Sequence, residues 1–151
     1  MKGSWTEDVG FLDLLAETVL YSMSAYPRKL VHTDELVHRH NLPFSQIQLL
    51  SLLSTQDVTV TEAARHLNVA KTNLALLVRQ LSDKGYVERI QNTQDRRKAF
   101  LRMTPRGREE YNKLKFSVTE QLKKLTGEFS RSEIKLLQKS LSQINHVLFE
   151  L

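Results

Sequence analysis

The stretch from Thr59 to Gly107 limits what this chain can become more than any other. It opens with Thr59-Val60-Thr61-Glu62, where a hydroxyl and a carboxylate three residues apart can each satisfy an orphan backbone amide and start a helix. The spacing predicts that helix over Val60 to Leu67, with Ala63, Ala64 and Leu67 facing inward, and a turn at Asn68-Val69-Ala70. A second helix, Lys71 to Lys84, follows with Leu74, Leu77, Val78 and Leu81 at i, i+3, i+4 and i+7. Gly85 supplies the left-handed residue that closes such a helix. Tyr86 to Gln91 and Lys98 to Met103 then alternate apolar and polar, as a half-buried two-stranded ribbon does, with Asp95-Arg96-Arg97 in the loop between. Helix, turn, helix and a basic ribbon is an arrangement that places one helix in a DNA groove with a hairpin beside it.

Charge supports that use. Residues 65 to 108 hold eleven basic side chains against three acids, a net +8, while the whole chain is +5, which leaves the flanks at −3. A basic centre between mildly acidic flanks points to a polyanion partner for the centre alone. A solvated helix face is the blander explanation of a charged run, but such faces usually mix signs.

The flanks read as helices. Trp5, Val9, Leu12, Leu15, Ala16, Val19, Leu20 and Met23 recur at three and four through residues 5 to 26, an apolar stripe that Pro27 should end or bend. Arg28 to Asn41 is less regular and is expected to continue as helix to Leu42-Pro43. Ser45 is the expected cap of a short apolar helix, Gln46 to Leu53, that belongs in the core. Thr104-Pro105 starts a long helix to about Thr126, with Tyr111, Leu114, Val118, Leu122 and Leu125 along it. After Gly127, Ser130 and Glu133 form a second capping box for a helix to Leu151, in which Ile134, Leu137, Leu141, Ile144 and Leu148 alternate three and four. That is the seam spacing of a helix packed on another. The whole of 1–151 is expected to be one domain, mainly α with a small β-hairpin wing.

Other chemistry finds little support. No cysteine is present among 151 residues, so disulfides and thiolate metal sites are excluded. No P-loop, G-x-G-x-x-G, H-E-x-x-H or G-x-S-x-G occurs, and five glycines leave few places for backbone to approach a substrate phosphate; no enzyme and no cofactor is expected. His32, His38 and His40 lie near Glu17, Asp34 and Glu35, but exposed histidines in a polar linker explain them better than a metal site. Trp5, Phe11, Tyr21, Met23 and Tyr26 on the first helix are expected to pack rather than to line an effector pocket. No apolar run is long enough for a membrane span and the N-terminal residues are acidic where a secretory signal is basic, so a cytoplasmic location is expected.

Several spaced residues carry a family likeness. Lys84-Gly85-Tyr86-Val87-Glu88-Arg89, then Asp95, Arg97, Leu101, Met103-Thr104 and Gly107, resemble the hairpin signature of the MarR family of bacterial regulators. There an aspartate and an arginine two residues later lead to L-x-[L/M]-T-x-x-G. The flanking helices fall where the family's do, so the likeness covers nearly the whole chain.

The resemblance implies a winged helix-turn-helix at 43–104 and dimerisation helices at 1–42 and 105–151. It further implies a homodimer on a near-palindromic double-stranded operator, and in most members a repressor that a small-molecule effector releases. On helical geometry Lys71, Thr72, Asn73, Leu76, Arg79 and Gln80 turn outward to the DNA. Asn73, Arg79 and Gln80 carry the donors and acceptors that base edges require. Arg96 or Arg97 is the side chain expected in the minor groove, with Asp95 holding an arginine in place. Two positions depart from the family pattern. Leu76 stands where many relatives carry a polar or basic residue, and Ala70 where a capping Ser or Asp is common. The alternatives are a winged-helix module that binds protein or binds DNA without sequence preference, and a metal-responsive regulator.

Overall fold

The computed structural model of the chain describes residues 9–91 and 99–149. Its helices are α1 (Val9–Lys29), α2 (Thr33–His40), α3 (Phe44–Leu53), α4 (Val60–His66), α5 (Lys71–Asp83), α6 (Pro105–Thr126) and α7 (Arg131–Phe149). Three short strands, β1 (Val58–Thr59), β2 (Val87–Gln91) and β3 (Ala99–Met103), form one antiparallel sheet in the order β1-β3-β2.

The core is built where the sequence concentrates apolar residues between α3 and the ribbon. Leu49 and Leu50 of α3, Leu74 and Leu81 of α5, and Leu101 of β3 are fully buried together. Fully burying a side chain of this size contributes about 1.5–3 kcal/mol. Ala63 and Ala64 are buried on α4, where a small side chain lets α4 and α5 approach closely.

The hairpin register pairs Val87 with Met103, Arg89 with Leu101 and Gln91 with Ala99. On β3, Leu101 and Met103 face the core and Arg102 faces water, which is the alternation expected. The third strand was not expected. Val58 pairs with Leu101 and Thr59 with Phe100, but two residues are too few to show a period of two. Its placement ties the start of α4 to the hairpin.

Three boundaries differ by more than a single terminal residue from those expected. α1 continues two residues past Pro27, because a proline near the end of a 21-residue helix removes only one of many hydrogen bonds. The chain then breaks at residues 30–32, and α2 is a separate eight-residue helix rather than a continuation of α1. Ser45 is not the cap of α3. The helix begins two residues earlier than expected, at Phe44, with extended Pro43 at the cap position and no side-chain hydrogen bond there.

α2 and α6 are joined by polar groups the sequence did not reveal. His40 is not an exposed linker histidine. Its side chain is 7% exposed, with Nδ1 2.9 Å from Glu110 Oε1 and Nε2 2.9 Å from Ser117 Oγ. The His32 backbone N–H donates to Gln121 Oε1 at 3.0 Å, and Gln121 Nε2 donates to Glu35 Oε2 at 3.2 Å. Among the described residues each buried side-chain nitrogen and oxygen has a partner, as burial requires. His32 and His38 are exposed as expected. Among the described residues no group of three His, Asp or Glu side chains is placed to hold a metal ion, and no helix is long and apolar enough to cross a membrane.

Candidate nucleic-acid interface

The helix-turn-helix is set by local chemistry at each end. Thr59 Oγ1 accepts from the Glu62 amide at 3.2 Å, while the Thr59 amide donates to Glu62 Oε2 at 2.7 Å. The Thr59 hydroxyl also donates to Glu62 Oε2, at 2.8 Å, so the Thr59 amide, then its hydroxyl, hold the Glu62 carboxyl below its ordinary value. The turn is closed by Asn68 in the left-handed region (φ 51°) and by the Val69 amide donating to the Ala64 carbonyl at 3.0 Å. Asparagine tolerates that conformation better than most residues. Gly85 (φ 74°) ends α5 in the same region, which sends the chain into β2.

α5 is amphipathic as read. Leu74, Val78 and Leu81 are buried, Leu77 is half-buried, and Lys71, Thr72, Asn73, Ala75, Leu76, Arg79 and Gln80 are exposed. Leu76 is 55% exposed at the middle of that face. Ala70 is extended at the cap position and offers no side-chain acceptor. The first-turn amides of α5 therefore remain available to solvent or to an anion, at the positive end of the helix dipole.

The eleven basic side chains of the segment divide into three groups. Four are tied to the protein. Lys84 Nζ donates to the Asn41 carbonyl at 2.9 Å, Arg102 Nε to Asp57 Oδ2 at 2.8 Å and Arg108 to the Ser54 carbonyl at 3.0 Å, while Arg106 lies 5.7 Å from the centre of the Tyr86 ring. The Asp57 hydrogen bond and charge raise the Arg102 guanidinium above its already high value, so it stays cationic but engaged. Arg65, Lys71, Arg79 and Arg89 make up the second group. They are exposed and make no hydrogen bond or ion pair among the described residues, although Arg65 lies in the field of Glu62. The third group, Arg96, Arg97 and Lys98, lies with Asp95 outside the described residues.

Gln80 is placed differently from a free reading side chain. It faces outward, but its Oε1 accepts from Gln46 Nε2 at 2.9 Å. Gln46 is buried on α3 and was read only as the first residue of that helix, so its link to α5 carried no sequence signal. The site is thus an outward helix with two unpaired cations, a central leucine and a polar side chain held from behind. The hairpin is fixed beside it.

This is the construction of a winged helix-turn-helix: a packed three-helix and ribbon unit that presents the second helix of the turn. Residues 40–98 match the MarR family, and those residues contain α3, α4, α5 and β2. The sequence likeness to the MarR family is carried by that region. No curated protein matches the chain in sequence. Solved structures extend the shared fold over most of its length. Wild-type MarR from E. coli is 21% identical, covering 86% of this chain and 95% of that one, with a TM-score of 0.69. A MepR mutant from S. aureus is 17% identical over 98% of this chain and 99% of that one, also at 0.69. NadR in complex with 4-hydroxyphenylacetate is 18% identical over 95% and 94%, at 0.61.

Proposed function

We propose that this chain is a homodimeric transcriptional regulator that binds a near-palindromic DNA site in the cytoplasm. α5 enters the major groove, and the hairpin loop with Asp95, Arg96 and Arg97 reaches the adjacent minor groove. The observation that carries this reading is the exposed face of α5, where Lys71 and Arg79 are left unpaired beside Thr72 and Asn73 while other cations of the segment are engaged by the protein. An uncapped helix N-terminus with a lysine and a threonine in its first turn suits a backbone phosphate. Arg79 suits guanine and Asn73 suits adenine, while Leu76 suits the methyl group of thymine.

Residues 1–42 and 105–151 are the dimerisation part of this reading, and 43–104 the DNA-binding part. Its support is apolar surface: Leu20 is 68% exposed on α1 and Leu148 is 65% exposed on α7. Repression, with release by a small-molecule effector, completes the proposal. NadR, solved with 4-hydroxyphenylacetate, is the similar structure that suggests a small ligand.

The test is a salt-titrated binding assay on the DNA upstream of the protein's own gene, with a scrambled duplex of equal composition as control. The expected result is dimer-stoichiometric binding that falls steeply with salt, since each neutralised phosphate releases counterion, yet keeps its preference over the scramble. Absence of binding at low salt rejects the proposal and leaves a protein-interaction module. Equal binding to both duplexes rejects its sequence-specific part.

A further inference from the structure

Gln80 is the one exposed polar residue of α5 whose orientation is set by a buried partner. Lys84 Nζ donates to Gln46 Oε1 at 3.2 Å, and Gln46 Nε2 donates to Gln80 Oε1 at 2.9 Å. The order of atoms along this chain is forced. An ammonium only donates, so the Gln46 atom facing Lys84 is its carbonyl oxygen. The other end of Gln46 is then its NH2 group, and the Gln80 atom that meets it is a carbonyl oxygen. Gln46 is only 3% exposed, so a released amide would lose its partner without gaining water. The Asn41 carbonyl, 2.9 Å from Nζ, holds Lys84 in place at the far end.

The amide left pointing away from this framework is Gln80 Nε2, a donor. We propose that Gln80 reads DNA as a fixed hydrogen-bond donor, with Gln46 and Lys84 as the positioning residues that make it one. A freely rotating glutamine pairs with adenine through both of its ends, donating to N7 and accepting from N6. With its carbonyl turned to Gln46, Gln80 favours guanine or thymine, which show only acceptors, over adenine, whose N7 acceptor sits beside the N6 donor, and disfavours cytosine most, whose major-groove group is the N4 donor. This inference rests on the placement of α5 in the major groove and adds a base preference at one position of each half-site.

The test is selection from a pool of random-sequence duplexes by the full-length protein and two variants, Gln46→Glu and Gln46→Met. The wild type is expected to enrich guanine or thymine at that position. In Gln46→Glu the carboxylate faces Lys84 at one end and has only acceptors for Gln80 at the other. Gln80 then turns its NH2 inward and its carbonyl outward, and the preference inverts to adenine or cytosine by about fivefold to tenfold, with other positions unchanged. Gln46→Met removes the orienting bond, and the preference at that position relaxes without inverting. Should the charged variant fail to fold, by circular dichroism, the methionine variant carries the test alone. Weaker binding with the same preferred bases in the folded variants overturns the inference, because a merely structural Gln46 would do that. A wild type that enriches no sequence overturns the DNA-binding reading itself.

Discussion

Arg79 and Lys84 sit on and just after the same helix, and their side chains have opposite employment. Lys84 is held by Asn41 and Gln46, whereas Arg79 is exposed and makes no hydrogen bond or ion pair among the described residues. Arg79→Ala should therefore weaken DNA binding by about 1–3 kcal/mol if it contacts a base edge, and leave the melting temperature unchanged. Fluorescence anisotropy on a selected duplex measures the first and a thermal melt the second; unchanged affinity removes Arg79 from the interface. Counting charges along the chain treats the two residues alike, because the partners of Lys84 lie 43 and 38 residues away. The same distance problem hid His40, whose partners Glu110 and Ser117 are 70 and 77 residues off. By contrast, the outward set on α5 was legible in full, since the 3.6-residue period alone decides which side chains leave the core.

Short elements were legible where a side chain signs their ends. Both capping boxes form, Thr59 with Glu62 and Ser130 with Glu133, and each lowers its glutamate below the ordinary value of 4.5 through hydrogen bonds from the cap residue. A carboxyl with a lowered value in the folded state adds stability above its ordinary value and loses it as pH falls through the lowered one. Glu62→Gln should cost a little stability at neutral pH and nothing once the wild-type carboxyl is protonated, so the two melting curves should converge on acidification. Parallel acid limbs would remove Glu62 from the cap energetics. β1 and the α1–α2 break had no such signature, because two strand residues and an uncapped helix start leave nothing periodic to read. Gly107 shows a motif position acquiring its reason only in three dimensions. A Cβ built there would lie 2.1 Å from the Tyr86 carbonyl oxygen, which already accepts from the Thr104 amide. The obstacle is backbone and cannot swing aside. Gly107→Ala should destabilise the hairpin–α6 joint by about 3 kcal/mol, read by chemical denaturation; a wild-type midpoint would mean the joint shifts freely.

At the scale of the molecule, the three-and-four spacing along α7 predicted a seam, and the seam is not filled within one chain. Leu42, Leu49 and Leu114 are buried, but Ile144 is 44% exposed and Leu148 65% exposed, and α1 carries Leu15, Val19 and Leu20 in the same condition. Apolar helix faces of this extent are costly to leave in water, and in the proposed homodimer they meet their counterparts. Spacing shows that a helix face will be covered but not by which chain, so this part of the site was legible only as a stripe. A charge placed in such a seam has to be desolvated on association, whereas in a lone chain a half-exposed position keeps it in water. Ile144→Asp should accordingly leave helix content unchanged while shifting the protein to monomer in sedimentation velocity. DNA affinity should fall with it, because one α5 alone reaches one half-site and loses the second set of phosphate contacts roughly one helical turn away. Monomers that still bind a palindromic duplex as tightly as the wild type would separate recognition from dimerisation; a dimer that survives the aspartate would place the interface on some other face than that of Ile144.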